Sequence, residues 1–315
     1  MKQKILSLAI IAASLNTASA LAGDPKVYGK ANLSLNKYDN DGEDSVKVNS
    51  NASRFGVKGS IDATDSVKAI YKFEYETFID DGDDGEENNS EFKQRNIYAG
   101  FQGDFGTIIA GNHDTPTKLA QGKIDRFNDL DKGDIKNVVQ GENRVSNIVM
   151  YSTPKFNGLS ATVAFASGEK EDGANDGIST AVSYKADNYS FTLAYDNDSS
   201  LDTNSKDGTY ESLTRFVAEF KGDNYKFGAL LQTADEGTAD DEAYVLSGEY
   251  KLSKQLVLKA QYAHSDDDTT EKTQTAFGTD YKLNKKSKIY AYYSNIEQTS
   301  KADDSTFAVG YEIKF

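Results

Sequence analysis

The chain has no cysteine and only two histidines, His113 and His264. Disulfide staples and thiolate chemistry are therefore excluded. A zinc site needs three or four ligands at sensible spacing, and no such spacing occurs. Beyond the first residues there is no apolar run near the roughly 20 residues that a membrane-spanning helix requires. Bases are also scarce: 35 Lys and Arg stand against 50 Asp and Glu, a formal charge of −15. Nucleic-acid binding needs a basic face, so that class is set aside. No nucleophile elbow, Gly-rich phosphate loop or HExxH motif is present, and no catalytic residue is assigned.

The first 22 residues read as a removable leader, not as structure. Lys2 and Lys4 make a basic start, Ile5–Ala13 is an apolar core, and Ala18-Ser19-Ala20 and Ala20-Leu21-Ala22 are small-x-small cleavage patterns. The expectation is a secretory signal over residues 1–22, cut after Ala20 or Ala22, with one domain over 23–315. Without Lys2 and Lys4 the 33 remaining bases face 50 acids, a charge of −17.

Low mean hydropathy with many acids can mean disorder. Yet 19 Tyr and 16 Phe are present, and they recur at regular spacing. Val27–Tyr38 puts Val27, Gly29, Ala31, Leu33 and Leu35 on one face and Tyr28, Lys30, Asn32, Ser34 and Asn36 on the other. Ser53–Ile61 alternates in the same way, Phe55 and Val57 opposite Arg54 and Lys58. Val67–Tyr75 sets Tyr71, Phe73 and Tyr75 against Lys68, Lys72 and Glu74. This is the period of two that marks strands. Sixteen such runs span the chain. Their connections alternate: seven short turns such as Gln102-Gly103-Asp104, and eight longer acidic links such as Asp39–Ala52, Asp80–Glu91 and Asn112–Asn143.

A repeated face of Lys, Arg, Glu, Asn and Ser must meet water, while the apolar face meets something else. A β-barrel spanning a bilayer satisfies both, because only every second residue faces lipid. The fold expected is all-β: a 16-stranded antiparallel transmembrane β-barrel with both termini at the short-turn end. The longest link, Asn112–Asn143, shows no period of 2 or 3.6. A structureless insert of that length is usually functional. It is expected to fold inward, as the third external loop, and to narrow the pore.

Four stretches carry a resemblance. They are Val27-Tyr28-Gly29-Lys30, then Ser53 to Gly59 (SRFGVKG), then Arg95 to Thr107 (RNIYAGFQGDFGT), and Asn143 to Asn147 (NRVSN) running into Tyr151-Ser152-Thr153-Pro154. Together with the closing Tyr311-Glu312-Ile313-Lys314-Phe315, the whole chain beyond the leader resembles the general, non-specific porins of the Gram-negative outer membrane, a trimeric sixteen-stranded family. The resemblance implies a water-filled channel for passive diffusion of small hydrophilic solutes and ions. It implies a basic wall at Lys30, Arg54, Lys93, Arg95 and Arg144, facing acids of the inward loop, for which Asp125, Asp129, Asp131 and Asp134 are the candidates. Asn112 departs from the pattern, since relatives often carry arginine there. Tyr311, Ile313 and Phe315 resemble the family's signal to the outer-membrane assembly machinery.

The implied partners are outer-membrane lipid and lipopolysaccharide, the assembly machinery, and two further copies of the chain in a homotrimer. No cofactor is expected, except that the acidic clusters Asp39–Asp44 and Asp80–Glu87 would hold divalent cations bridging lipopolysaccharide phosphates. Neither cluster matches an EF-hand loop. A substrate-specific channel or a surface adhesin on the same barrel is the alternative; a lumenal run of aromatics beginning at Tyr28 would mark the former. Acidic external loops around a basic wall lead to an expected weak preference for cations, one that fades as salt screens the mouth.

Overall fold

In a computed structural model of the protein, which describes residues 25–40, 42–81, 92–169, 176–197, 210–237, 240–266, 270–299 and 301–315, the alternating runs become strands of one sheet. Sixteen strands close into a barrel among the described residues. They are β1 (Lys26–Asn40), β2 (two segments, Glu43–Ser50 and Arg54–Asp62), β3 (Val67–Thr77), β4 (two segments, Phe92–Gln94 and Ile97–Gly103), β5 (Gly106–Asp114), β6 (Arg144–Ser152), β7 (Leu159–Ala166) and β8 (Gly177–Lys185). The second half comprises β9 (Tyr189–Asn197), β10 (Ser212–Lys221), β11 (Tyr225–Asp235), β12 (Asp240–Lys251), β13 (Leu256–Asp266), β14 (Lys272–Lys282), β15 (Ser287–Gln298) and β16 (Asp304–Lys314). Each strand pairs antiparallel with its sequence neighbours. The seam closes where β1 meets β16, from Lys30 opposite Lys314 to Asn40 opposite Asp304. The expected leader, residues 1–22, lies outside the described residues, as does most of the Asp80–Glu87 cluster.

The alternation sorts side chains as the sequence implies. On β11, Phe227, Ala229 and Leu231 point out, while Lys226, Gly228, Leu230 and Gln232 point in. Outward Leu193, Phe227, Leu231, Leu246 and Phe277 are all more than half exposed. That is the surface a bilayer would cover, with the backbone groups satisfied strand to strand. Aromatic rings gather at the short turns: Tyr184 with Tyr189 at 6.2 Å, Phe220 with Tyr225 at 6.0 Å, and Tyr225 with Phe227 at 5.5 Å. Such girdles sit at the lipid–water boundary.

The structure corrects two expectations. Asp39–Ala52 is not an irregular link. Glu43–Ser50 is strand, paired with β1 from Leu33 opposite Ser50 to Asn40 opposite Glu43, so the hairpin stands taller than its charges suggest. Val46 and Val48 continue the outward alternation, and the kink falls instead at Ala52, which takes a left-handed φ of 48°.

The inner face is also less uniformly polar than expected. On β8 to β16 it carries Ala181, Ala194, Val217, Leu230, Ala243, Val245, Ala263, Ala276, Tyr290, Tyr292 and Ala308, all buried. What buries them is the long insert after β5.

Candidate pore constriction

The insert leaves β5 at Thr115. That hydroxyl accepts the Lys118 N–H at 3.1 Å, and Pro116 opens a short helix, α1 (Pro116–Ala120). A Thr cap followed by Pro at the first helical position is a readable start signal, though one turn has no period to detect. Two 3-10 turns follow, Asp131–Gly133 and Ile135–Asn137, before β6.

One side of the loop is riveted to the β8–β16 wall. Arg215 is fully buried. Its guanidinium donates to the Thr117 carbonyl at 3.1 Å, to Glu142 Oε1 at 2.7 Å and to the Gln140 carbonyl, while Nε donates to Gln232 Oε1 at 2.9 Å. One side chain thus clamps the beginning and the end of the loop together. The Thr117 hydroxyl donates to the Asp196 carboxylate, whose other oxygen accepts from Tyr210 at 3.0 Å. Farther along, Lys259 Nζ donates to the Arg126 carbonyl at 3.0 Å, and Gln261 Oε1 accepts the Arg126 N–H at 2.9 Å. Gln274 and Ser294 both donate to the Lys132 carbonyl.

Ile124, Ile135, Val138 and Val139 fill the small-residue surface of β8–β13, and Phe127 and Leu130 fill that of β14–β16. Each such burial contributes about 1.5–3 kcal/mol. Asp125 is turned into this packed side. Its two oxygens accept the N–H groups of Phe127 at 2.9 Å and Ile135 at 3.2 Å, which braces the loop's own backbone. Burial pushes its carboxyl well above the usual range, and the neighbouring Asp134 charge adds to the shift. Of the four acids named from the sequence, it is the one not on the cavity.

The other side of the loop faces the wall of β1–β6 across a cavity of about 810 Å³. Arg54, Lys72, Lys93, Arg95, Lys118, Lys136 and Arg144 line it against Glu74, Glu76, Asp80, Asp114, Asp129, Asp131, Asp134 and Glu142. Seven bases thus meet eight acids. The loop reaches the wall at Asp129, which takes a left-handed φ of 66°. Its carboxylate lies 2.6 Å from Lys30 Nζ, 3.2 Å from Arg54 Nη2 and 4.0 Å from Arg95 Nη2. Burial opposes ionisation there, but the charges of Lys30, Arg54 and Arg95 override it and hold the carboxyl far below the usual range.

Asp131 accepts from the Tyr38 hydroxyl and from Asn49 Nδ2. Asp134 accepts the N–H groups of Asp129 and Lys136, both at 2.9 Å, and thereby shapes the turn that presents Asp129.

The five bases named from the sequence are therefore brought to one zone, four of them already paired with acids. Arg95 donates to Glu76 at 2.5 Å and to Glu74 at 3.3 Å. Arg144 pairs with Asp114 at 2.9 Å. Lys93 has no ion pair among the described residues. Sequence reasoning missed Glu76, Asp114, Lys118, Glu142 and Arg215. A signal existed for Arg215, a charge flanked by Leu213 and Val217 on the same inward face. Asn112, the departure from the arginine pattern, donates to the Arg95 carbonyl at 2.7 Å, beside the irregular register between β5 and β6.

A closed barrel that is apolar outside, lined with charge inside and crossed by an inward loop defines a membrane-spanning channel. The matched proteins are of the same kind. A family model described as Gram-negative porin matches residues 7–301, and the chain belongs to that family. Outer membrane porin protein 32 of Delftia acidovorans is 25% identical over 339 residues, covering 98% of this chain and 92% of that protein. Major outer membrane protein P.IB of Neisseria gonorrhoeae is 26% identical over 211 residues, 62% of this chain and 56% of the relative. In fold, the chain is similar to an anion-selective porin from Comamonas acidovorans, with a TM-score of 0.74 at 19% identity, covering 92% of this chain and 99% of the other. The protein is an outer-membrane channel through which small hydrophilic solutes and ions diffuse passively. Among the described residues, no group of three or more His, Cys, Asp or Glu is arranged to hold a metal.

Proposed function

We propose that the gap between the loop and the β1–β6 wall is the narrowest zone of the diffusion path. Lys30, Arg54, Lys93, Arg95 and Arg144 form its basic side and Asp129, Asp131 and Asp134 its acidic side. The contact of Asp129 with Arg54 carries this reading, because the two place opposite charges from loop and wall on the same open volume, with the buried Lys30 pairing Asp129 from the wall. Charges across a confined aqueous path set selectivity. Eight acids against seven bases on the lining, with further acids on the external loops, support a weak preference for cations. The reversal potential of the channel in a planar bilayer under a KCl gradient tests this. A small cation-selective potential that shrinks at high salt is expected. Anion selectivity at both low and high salt would refute it.

The same reading includes a homotrimer, as the family resemblance implies, and export by cleavage of residues 1–22. Tyr311 and Ile313 face outward at the end of β16, with Phe315 closing the chain, a placement compatible with recognition by the assembly machinery. Divalent cations on the external acids would bridge lipopolysaccharide phosphates. Removal of calcium and magnesium should then lower trimer stability, and an unchanged melting point would sink that idea.

A further inference from the structure

We infer that Gly228 and Gly278 set the width of the pore. They form two sockets in the wall behind the loop, and they hold the loop at a fixed distance from the basic wall opposite. The inference rests on the reading that the loop bounds the narrowest zone.

Both glycines face the lumen, Gly228 between Lys226 and Leu230 on β11 and Gly278 between Ala276 and Asp280 on β14. Each lies directly under a loop side chain. A β-carbon at Gly228 would stand 2.5 Å from Ile124 Cγ2 and 2.6 Å from Ile124 Cβ. A β-carbon at Gly278 would stand 2.8 Å from Phe127 Cε1, and also 2.9 Å from the Ala291 carbonyl oxygen and 3.0 Å from Tyr292 Cβ on β15, so Gly228 is the cleaner of the two sockets. Carbon atoms at rest stay about 3.5–4.0 Å apart, so neither socket admits even a methyl group while the loop is seated. Ile124 is 1% exposed and Phe127 fully buried.

The backbone is fastened beside each socket. The Ser247 hydroxyl donates to the Ile124 carbonyl at 2.5 Å. Lys259 bonds the Arg126 carbonyl and stands 4.7 Å over the Phe127 ring. Two residues beyond Phe127, Asp129 touches Lys30 on the far wall. The loop is thus a crosspiece with one edge in the sockets and the other against the bases. It has no slack on the socket side. Extra volume there pushes the loop segment around Ile124 and Phe127 into the open cavity and narrows the path, and removed volume lets that segment sink back.

Opposite steric changes should therefore move conductance in opposite directions. The wild type, Gly228→Ala, Gly278→Ala, Ile124→Ala and Gly248→Ala would be compared in planar bilayers, each first shown to be a folded, heat-modifiable barrel. Gly248 faces outward, where a β-carbon would meet Phe227 Cδ1 at an ordinary 3.4 Å, so it serves as the control. Gly228→Ala and Gly278→Ala should lower single-channel conductance about twofold and slow liposome swelling by a disaccharide more than by a pentose. Ile124→Ala should raise conductance, and Gly248→Ala should leave it unchanged.

Wild-type conductance in both Gly228→Ala and Ile124→Ala, or changes of the same sign in both, would overturn the inference. If Gly228→Ala does not fold, the sign of the Ile124→Ala change decides. Asp129→Asn separates the two levels. If it leaves the reversal potential unaltered, the constriction reading itself fails. If it shifts the potential while the socket variants are silent, only the sockets fail.

Discussion

Lys30 Nζ on β1 and the Asp129 carboxylate on the loop are 2.6 Å apart, although 99 residues separate them in the chain. The loop therefore touches the wall it faces. Lys30 is 6% exposed, so its charge depends on this partner.

Asp129→Asn isolates that electrostatic role. Asn enters the left-handed region as readily as Asp, so the backbone at φ 66° is preserved. Lys30, Arg54 and Arg95 lose a shared counter-charge. We expect a reversal potential shifted toward anions and a thermal midpoint lowered in keeping with about 2–3 kcal/mol, less than for a fully buried pair because the lumen is wet. Unchanged selectivity under a KCl gradient would contradict the assignment.

Arg215→Met should release the loop without opening the barrel. Glu142 would be left buried without its cation, at a cost of about 3–5 kcal/mol. Limited proteolysis should then cut within residues 116–143, where the wild type should resist cleavage. Arg215→Met combined with Glu142→Met should restore part of the protection, since no lone buried charge remains. Equal cleavage in the single and double variants would argue against the clamp.

Two loop carboxylates respond to pH with opposite sign. Burial raises Glu142 against the pull of Arg215 and Lys118. A raised folded-state value means the ionised group costs stability, and that cost disappears as pH falls toward its ordinary value near 4.3. The stability difference between Glu142→Gln and wild type should therefore move in the variant's favour between pH 4 and pH 7, against the penalty of leaving Arg215 without its carboxylate. Asp129 is depressed, so its contribution is present above the ordinary carboxylate range and is lost only in strong acid. The difference between wild type and Asp129→Asn should thus persist from pH 7 to pH 5. Melting midpoints of the three proteins from pH 7 to pH 4 check both signs.

Phe315→Ala should reduce assembly more than stability. The ring is 60% exposed, and the seam around it is closed by backbone bonds between Phe315 and Gly29 at 3.2 and 3.4 Å. Less barrel should reach the outer membrane, while the purified barrel melts within a few degrees of wild type. A large loss of melting temperature would assign Phe315 a structural role instead.

The strands were legible because a period of two survives any uncertainty about their ends. Tyr28, Lys30 and Asn32 had to share a face however long β1 proved to be. The taller β1–β2 hairpin was obscured because Asp39, Glu43 and Asp44 read as a loop, yet they sit on strand above the apolar band. The basic wall was implied by the family resemblance of the stretches that carry Lys30, Arg54, Arg95 and Arg144. Its counter-charges Glu76 and Asp114 were not, since a carboxylate near a strand end looks the same whether it faces solvent or an arginine. Asp125 shows the remaining limit. Its side chain differs in no local way from Asp129, yet one braces the Phe127 and Ile135 amides and the other meets Lys30.

The sequence by itself determined the barrel, its two faces, the position of the long insert and its membership of a family of outer-membrane channels. Alternation and turn spacing are properties of adjacent residues, so they can be read along the chain. Only the tertiary structure decided which side of the insert is packed and which lines the path. Arg215 meets Thr117 across 98 residues, and Ser247 meets Ile124 across 123. Those contacts are chosen by the curvature of the closed sheet, which brings β10–β15 against one edge of the loop and β1–β4 against the other. No local pattern in residues 112–143 encodes that choice.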